Sequence, residues 1–497
     1  MDQLFITLEK RALQFPEQDA LISSDGKRQT IFSNQQLLDD ITRVGAFFEK
    51  EHLQCIALYM DNCAQWIICD LAAAKLGITL VPIPLFFTPS QVDHLVTSTG
   101  VEAIITQSLI SAHLTSNALL NIENANIILP IDNALMLRVV TEKNVNLANS
   151  IKITYTSGTT GEPKGVCLSA ENIGTVCWGI EQTMNTMVTT SHLCVLPLAI
   201  LLENVGGVYA CLMQGGVVIT EPLTALGFLS NAEFDIKQLL GKIEQYQVGS
   251  IILLPQMLKL LVHGVNAKVL QQCSSLHLIG VGGGKSSVAI LEQANALGLP
   301  VCEGYGLSEC GSVVCSNFPS QEKVGSVGKA LPHVNVEISD EGEIVIKGQA
   351  MLGYLGELDQ SLTDIHTGDL GYIDEEGYIF VSGRKNNKIV SSFGRNISPE
   401  WVEASLSSSS VIAQVAVFGE AQPSLSAVIV SPIDDIKVID KAIEACNKHL
   451  PDYAQIRHWI SAKHAFTSSN DLLTKSGGLK RRNIEQVYQQ QLDALYA

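Results

Sequence analysis

Short apolar runs alternate with longer stretches of helical periodicity over most of the chain. Residues 66–75 place apolar side chains at helical spacing, and strand-like apolar runs lie on both sides of them. Because parallel strands covered by helices on both faces are continuously apolar, this alternation predicts α/β layers with mostly parallel sheets. The predicted buried strands are residues 55–59, 79–84, 103–106, 126–130, 193–197, 215–220, 250–255 and 276–280.

The pattern changes near residue 324, where apolar and polar residues begin to alternate with a period of two. Such alternation between tight turns predicts a small antiparallel, β-rich subdomain. A charged, asparagine-rich joint at 385–388 follows it, and a compact α+β tail comes after the joint. We therefore predict an N-terminal domain over residues 1–384 and a C-terminal domain over residues 385–497. The alternating stretches are 334–339, 342–347 and 377–382, with turns at 340–342 and 374–377.

Length, charge and cysteine usage narrow the class of protein. A chain of 497 residues has room for about two to four domains. Its net charge of −18, from 32 Lys and Arg against 50 Asp and Glu, argues against nucleic acid as a partner. The 12 cysteines form no Cys-x-x-Cys pair, so we expect no disulfide framework and a cytoplasmic location. We also expect no secretory leader and no transmembrane segment, since Lys75, Pro82 and Pro84 interrupt the apolar stretch 71–87.

A run of hydroxyls and glycines is the strongest candidate for chemistry. It reads Thr156-Ser157-Gly158-Thr159-Thr160-Gly161-Glu162-Pro163-Lys164 and follows an apolar, β-branched stretch. Glycines allow backbone N–H groups to turn toward an anion, and the hydroxyls and Lys164 add donors. A flexible surface loop is the alternative interpretation. The flanking residues favour a loop that wraps a polyphosphate.

Three more segments carry candidate site residues. Gly304-Tyr305-Gly306-Leu307-Ser308-Glu309 joins a permissive backbone to an aromatic ring and to a carboxylate suited to a hard cation. The polar segment 366–371 is expected to be a turn before a strand, and its Asp369 can accept hydrogen bonds from two ribose hydroxyls. Both segments also fit ordinary turns. The glycine-rich segment 280–287 is not a Walker loop, because Ile279 stands where that loop needs a glycine.

Together these segments resemble the adenylate-forming superfamily, which includes acyl-CoA synthetases, the adenylation domains of peptide synthetases, and luciferases. The matching segments occur in family order over nearly the whole chain. The resemblance implies a large N-terminal domain, built of two layered α/β subdomains and a small β-rich subdomain, with a smaller, mobile α+β C-terminal domain. It also implies ATP, Mg²⁺ and CoA, or a carrier-protein phosphopantetheine, as cofactors.

The resemblance assigns a role to each matching residue. Tyr305 would stack on adenine, Asp369 and Arg384 would fix the ribose, and Thr156 and Glu309 would bind the metal. Lys164 and Glu309 would be catalytic, Asn386 would be the hinge between the domains, and Gly394 would line the tunnel for the attacking thiol. The implied nucleotide-binding set is Thr156, Ser157, Gly158, Thr159, Thr160, Gly161, Lys164, Gly282, Gly283, Gly284, Gly304, Tyr305, Gly306, Leu307, Ser308, Asp369 and Arg384.

The chain departs from the family near its C-terminus. There the family has a lysine that bridges the substrate carboxylate and the α-phosphate, and direct alignment places Gly478 at that position. Lys475 and Lys480 stand on either side of Gly478. We predict that Lys480 substitutes as the catalytic cation, or that adenylation is slow, because loss of one preorganised stabiliser costs about 10²–10³ in rate.

The segment Leu196-Pro197-Leu198-Ala199-Ile200, followed by Glu203, resembles that of fatty-acid ligases, with Ile200 at the usual gate position. We therefore expect an AMP-forming ligase that adenylates a small-molecule carboxylic acid, of medium or long fatty chain, and transfers it to CoA. One alternative is loading of an acyl carrier protein, whose acidic helix would meet the basic residues of 475–482. Others are adenylation of an aryl or amino acid, and a catalytically impaired nucleotide-binding homologue.

Overall fold

The computed structural model describes residues 1–107, 122–140, 145–147, 149–156, 164–184, 190–229, 234–264, 267–319, 321–348, 350–359, 362–392, 395–474 and 477–496. Its strands are β1 Asp19–Ser24, β2 Gln29–Ser33, β3 Cys55–Tyr59, β4 Thr79–Pro82, β5 Ala103–Gln107, β6 Ile122–Ile128, β7 Ala134–Val139, β8 Lys152–Thr156, β9 Lys164–Leu168, β10 Ser191–Cys194, β11 Val217–Thr220, β12 Ser250–Leu253, β13 Leu278–Val281, β14 Val301–Leu307, β15 Ser312–Ser316, β16 Lys329–Ala330, β17 Val334–Ile338, β18 Glu343–Gly348, β19 Gly353–Tyr354, β20 Glu357–Leu358, β21 Asp364–Ile373, β22 Ile379–Arg384, β23 Ile389–Val390, β24 Asn396–Ile397, β25 Gln414–Phe418, β26 Leu425–Val430 and β27 Ile456–Ser461.

The helices lie between these strands, mostly as crossovers between parallel neighbours. A π-helical turn, Asn204–Tyr209, joins two short α-helical segments into one continuous element. The α-helices are Asp2–Gln14, Asn34–Lys50, Ala64–Leu76, Pro89–Thr99, Ala170–Met184, Leu201–Glu203, Ala210–Met213, Ile236–Tyr246, Pro255–His263, Ala267–Gln272, Val288–Ala296, Pro399–Ser407, Ile436–Asn447 and Arg481–Ala494. Short 3₁₀ turns occur at Leu223–Leu226, Ser308–Cys310, Lys385–Asn387 and Asp452–Ala454.

Two nine-stranded sheets form the N-terminal domain. Their orders are β20-β19-β9-β8-β4-β3-β5-β7-β6 and β16-β15-β14-β13-β12-β10-β11-β1-β2. The centre of each is parallel, as in β4-β3-β5 and in β13-β12-β10-β11. One hydrophobic core contains side chains from both sheets, such as Ile56 and Leu21, and from the helices between them. This confirms the predicted layered α/β class, since fully buried parallel strands are continuously apolar.

The remaining sheets form the β-rich subdomain and the C-terminal domain. A four-stranded antiparallel sheet has the order β17-β18-β21-β22, and the C-terminal domain contains a sheet of β25-β26-β27 with its own core. The two-domain fold class is therefore confirmed, whereas the boundary between residues 384 and 385 stays a prediction.

The predicted polar turn at residues 366–371 is wrong. These residues lie inside the long strand β21, because it pairs with β18 on one side and with β22 on the other. Gly368 has a φ of 70°, and the register shifts between Leu370 and Gly371, so the strand is irregular at this point without ending.

Each of the twelve cysteines is a free, buried thiol. Burial raises the pKa of thiols such as Cys63 and Cys211 to about 12, which keeps them protonated. Among the described helices, none has the length and apolar character needed to cross a membrane. The cytoplasmic location stays a prediction.

Candidate active site

Two glycine-containing segments meet at the carboxyl ends of neighbouring strands. β13 pairs with β14 in parallel, and Val281 lies opposite Glu303. The turn after β13 therefore runs beside the continuation of β14, and a Cβ on Gly282 would lie 3.8 Å from the carbonyl oxygen of Gly304. Gly283 adopts a φ of 77°, which favours glycine. The structure thus brings the predicted residue Gly282 next to Gly304, while Gly283 and Gly284, which follow in the same turn, approach Leu254 and Pro255.

The strand β14 continues to Leu307, beyond the point where the sequence suggested a turn. It pairs with β15, and a bulge between Tyr305 and Gly306 re-aims the side chains. Gly306 has no room for a side chain, since a Cβ would lie 1.8 Å from the carbonyl oxygen of Ser312. Leu307 ends the strand, and Ser308 begins the 3₁₀ turn that carries Glu309.

Tyr305, Asp369 and Arg384 form one hydrogen-bonded group. The Tyr305 hydroxyl donates to Asp369 Oδ2 at 2.7 Å, and Arg384 Nε donates to Asp369 Oδ1 at 2.8 Å. Asp369 and Arg384 are paired residues of β21 and β22, while Tyr305 comes from a different sheet. Burial raises the pKa of Asp369, and Arg384 and the tyrosine hydroxyl oppose that shift. The predicted ribose pair is therefore preorganised beside the predicted adenine ring partner.

Glu309 is held by a residue that the sequence interpretation missed. The hydroxyl of Tyr354 donates to Glu309 Oε1 at 2.9 Å, and Lys164 Nζ lies 5.0 Å from the centre of the Tyr354 ring. Burial, and then Glu309, raise the pKa of Tyr354 to about 12, so the phenol remains a donor. Because the bond uses Oε1, Oε2 of Glu309 can serve as an oxygen ligand for a hard cation. The donor chemistry fits Mg²⁺.

The predicted phosphate loop is flanked by a regular hairpin. β8 and β9 are antiparallel, and Thr156 lies opposite Lys164. The hairpin therefore fixes both ends of the loop, and Lys164 extends toward Tyr354 and Glu309. Ser157, Gly158, Thr159, Thr160 and Gly161 lie outside the described residues, as do Gly394 and Lys475.

Apolar side chains form a wall beside residues 282–284, the glycine turn that follows β13. A Cβ on Gly282 would lie 3.1 Å from Leu202, and one on Gly206 would lie between 3.5 and 3.7 Å from Val313, Ile252 and Leu202. Behind this wall is a cavity of about 20 Å³, lined in part by Gly206, Gly207, Ala210, Cys211, His192 and Ser250. This wall would take the organic part of an acid whose carboxylate faced the nucleotide.

The structure does not bring Lys480 to the other site residues. Its ammonium pairs with Asp471 of the same domain, and its backbone N–H donates to the Leu472 carbonyl. Gly478 donates its N–H to Thr474 Oγ1 at 2.8 Å, in a turn that approaches Gln256 of the N-terminal domain at Gly477. Lys480 would have to leave Asp471 before it could act in place of the missing lysine. That role for Lys480 stays a prediction.

Arg481 has a structural position. Its guanidinium forms ion pairs with Glu403 and donates to the Val417 carbonyl, and its side chain is 15% exposed. It is therefore not available to an acidic partner helix, which weakens the carrier-protein alternative.

Asn386 lies in the 3₁₀ turn Lys385–Asn387 between the domains, and its role as a hinge stays a prediction.

Comparison with known proteins assigns the family. The AMP-binding enzyme family matches residues 8–355, and the AMP-binding enzyme C-terminal domain matches residues 386–497. The chain belongs to the AMP-binding enzymes, so the predicted superfamily is confirmed.

The curated relatives carry the name of an acid–CoA ligase. A 2-succinylbenzoate–CoA ligase of Bacillus pumilus (strain SAFR-032) is 31% identical over 332 residues, covering 63% of this chain and 65% of the relative. One of Listeria monocytogenes serotype 4b (strain F2365) is 31% identical over 310 residues, covering 60% and 62%. The chain thus spans a little under two thirds of the length of these relatives.

Solved structures share the fold over nearly the whole chain. O-succinylbenzoate CoA synthetase from Bacillus subtilis, with its acyl-adenylate intermediate, has a TM-score of 0.75 at 23% identity and covers 96% of this chain and 97% of its own. An anthranilate CoA ligase with anthranoyl-AMP has a TM-score of 0.78 at 18% identity and covers 97% and 96%. The Bacillus subtilis synthetase has also been solved with ATP and magnesium ion.

These names agree with the predicted acid–thiol ligase class and with the predicted cofactors ATP, Mg²⁺ and CoA. They do not support the expected fatty acid, and they favour the aryl-acid alternative instead. The fatty-acid interpretation relied on the resemblance of Leu196–Ala199 and of the segment 392–401 to fatty-acid ligases, and neither segment carries chemistry that distinguishes one apolar acid from another.

Proposed function

We propose that the protein is an ATP-dependent, AMP-forming ligase that joins an aryl carboxylic acid to CoA. The observation that carries the proposal is the convergence of Tyr305, Asp369 and Arg384 beside the glycine turn, with Glu309 on the same segment as Tyr305. The family and the names of the relatives support it.

Each site residue would have a separate role in adenylation. Asp369 and Arg384 would hold the ribose, and Tyr305 would lie against adenine. Lys164 would add positive charge near the phosphates. Glu309, fixed by Tyr354, would hold Mg²⁺, which when bound offsets the repulsion between the carboxylate and the phosphate. The acid carboxylate would attack the α-phosphate, and pyrophosphate would leave. These residues would accelerate the step by positioning the reactants and stabilising charge, which supply most of the catalysis in such transfers.

Thiol transfer would follow in the same site. The C-terminal domain would turn about the segment that contains Asn386, so that the turn bearing Gly478 moves away from the nucleotide. A single cleft can serve two reactions in this way, because a domain motion replaces one set of side chains by another. Attack of the CoA thiol on the acyl-adenylate would release AMP.

The direct test is ATP–pyrophosphate exchange by the full chain with Mg²⁺. The panel contains 2-succinylbenzoate, benzoate, anthranilate, fatty acids of several lengths and amino acids. Exchange with aryl acids alone supports the proposal, and exchange with fatty acids alone would restore the earlier expectation. Measurable ATP binding without exchange for any acid contradicts the proposal and favours the impaired homologue.

A further inference from the structure

A lysine and an aspartate form an ion pair inside the N-terminal core. Lys152 Nζ lies 2.8 Å from Asp70 Oδ1, and both side chains are only 1% exposed. Removing two charges from water costs several kcal/mol per ion, which only good geometry and further hydrogen bonds offset. An ion pair this deeply buried therefore needs further partners.

Those partners are the two ends of the π-helical turn. Lys152 donates to Asn204 Oδ1 and, at 3.1 Å, to the Tyr209 hydroxyl. Asp70 Oδ2 accepts from Asn204 Nδ2 at 2.8 Å and from the Tyr209 hydroxyl at 2.6 Å. Each member of the ion pair thus contacts the first and the last residue of the turn.

This arrangement requires the π conformation. Residues five apart in an α-helix are separated by about 140° around the axis, so Asn204 and Tyr209 would face different directions. A π-turn bonds residue i to i+5 and brings such residues to one side. The backbone agrees, because Ala210 N–H reaches the Val205 carbonyl.

Two glycines inside the turn, Gly206 and Gly207, line the cavity of about 20 Å³ behind the apolar wall. Gly206 packs toward Leu202, Ile252 and Val313, and Gly207 sits so close to His192 that a Cβ would lie 2.4 Å from its Nε2. His192 is itself fixed by hydrogen bonds to Glu203 at 2.6 Å and Ser250 at 3.0 Å. Relaxation to an α-helix would rotate this lining, and the cavity of about 20 Å³ would change shape.

We propose that Lys152 and Asp70 are positioning residues that set acid selectivity by holding residues 204–209 as a π-turn, with Gly206 in the apolar wall that would contact the acid and Gly207 lining the cavity behind that wall. Lys152 also begins β8, the strand that leads to Thr156 and the phosphate loop. This inference rests on the proposed function, since it concerns the same pocket.

The test replaces both charges together. Lys152→Met with Asp70→Asn removes the ion pair without leaving a buried charge unpaired, and such replacements are often tolerated. Kinetic constants are measured for ATP and for a series of aryl acids of increasing size, in the full chain. We expect KM for the preferred acid to rise about tenfold and the order of preference to change, the range typical of small changes in pocket shape. KM for ATP should stay within about twofold of the parent value, because the nucleotide contacts remain.

Two further variants keep the test decisive. Tyr209→Phe removes only the hydroxyl at the far end of the turn, and should shift acid preference in the same direction to a smaller extent. Lys242→Met with Glu221→Gln removes another charge pair, with Glu221 buried and Lys242 21% exposed, that also contacts a tyrosine, Tyr246, outside the cavity lining, and should leave acid preference unchanged.

The outcomes separate the two proposals. A parent protein that exchanges with no acid refutes the proposed function. An active parent whose folded double variant keeps the parental acid profile overturns the inference. If the double variant does not fold, an unchanged profile in Tyr209→Phe overturns it instead.

Discussion

Tyr354 donates its hydroxyl to Glu309 at 2.9 Å, although Tyr354 lies in β19 of one nine-stranded sheet and Glu309 in the 3₁₀ turn between β14 and β15 of the other. The bond fixes the rotamer of the only carboxylate that we assign to the metal. It also places an aromatic ring beneath Lys164, so the predicted metal ligand and the predicted phosphate ligand share one support.

Replacing Tyr354 by Phe tests this support. The variant keeps the ring under Lys164 and removes one hydrogen bond to a carboxylate, an interaction worth about 1.5–3 kcal/mol. We expect the Mg²⁺ concentration needed for half-maximal exchange to rise about tenfold or more. Tyr378→Phe is a matched control, since Tyr378 also bonds through its hydroxyl and lies under Lys323 and Lys329, outside the candidate site. An unchanged Mg²⁺ requirement in Tyr354→Phe would show that the tyrosine does not support the metal site.

The missing lysine leads to a gain-of-function prediction. Gly478 can take a side chain if Thr474 shifts slightly, because among the described residues a Cβ there would meet the Thr474 side chain, at 3.1 Å from the hydroxyl. If Gly478 occupies the position of the catalytic cation, Gly478→Lys should raise the exchange rate by about 10–10². The measurement is kcat for exchange at saturating ATP and acid.

Lys480→Ala separates the two explanations of the departure. If Lys480 substitutes, its removal should lower kcat by about 10²–10³, and the Gly478→Lys variant should tolerate that loss. If Lys480→Ala keeps the parental rate, Lys480 does not act in place of the missing lysine. Asp471→Asn, which releases the Lys480 ammonium from its partner, should raise the rate only if Lys480 is the catalytic cation.

Glu303 should make the free energy of unfolding depend on pH between 4.5 and about 7. Burial beneath the glycine turn raises the pKa of Glu303 to about 7 from an ordinary 4.5, and a hydrogen bond from the Ser286 N–H opposes the shift. Since the folded state binds this proton more tightly, the stability contribution present at low pH is lost as pH rises from 4.5 through 7. Glu303→Gln keeps the acceptor and removes the charge. Its stability relative to the parent should grow by about 3 kcal/mol between pH 4.5 and 8, measured by urea unfolding.

His333 should have the opposite effect on stability, lowering the free energy of unfolding as pH falls. Burial lowers its pKa from 6.5 to about 4, and its ring packs against Gly179. The folded state resists protonation, so stability is lost as pH falls from 6.5 toward 4. In His333→Leu, the loss of stability between pH 7 and 5 should be smaller than in the parent by about 2 kcal/mol. Parallel unfolding curves for both proteins at the two pH values would contradict this.

Local sequence was sufficient to predict the strands and to single out the candidate site segments. Apolar runs marked β3, β5 and β12 to within a few residues, because a buried strand must be apolar whatever it packs against. The predicted phosphate loop and the Gly304–Glu309 segment could be named as candidates, since their glycines and polar groups are contiguous in the chain.

Contacts between distant segments depended on the tertiary structure. Tyr305 meets Asp369, Tyr354 meets Glu309, and Lys152 meets Asp70 through packing of separate strands and helices, and no local pattern encodes such a meeting. Residues 366–371 looked like a turn because they are polar and glycine-rich, yet strand pairing on both sides keeps them extended. The sequence by itself therefore identifies the side chains that could take part in chemistry. The tertiary structure decides which of them contact one another, because distances and burial arise only when the layers pack together.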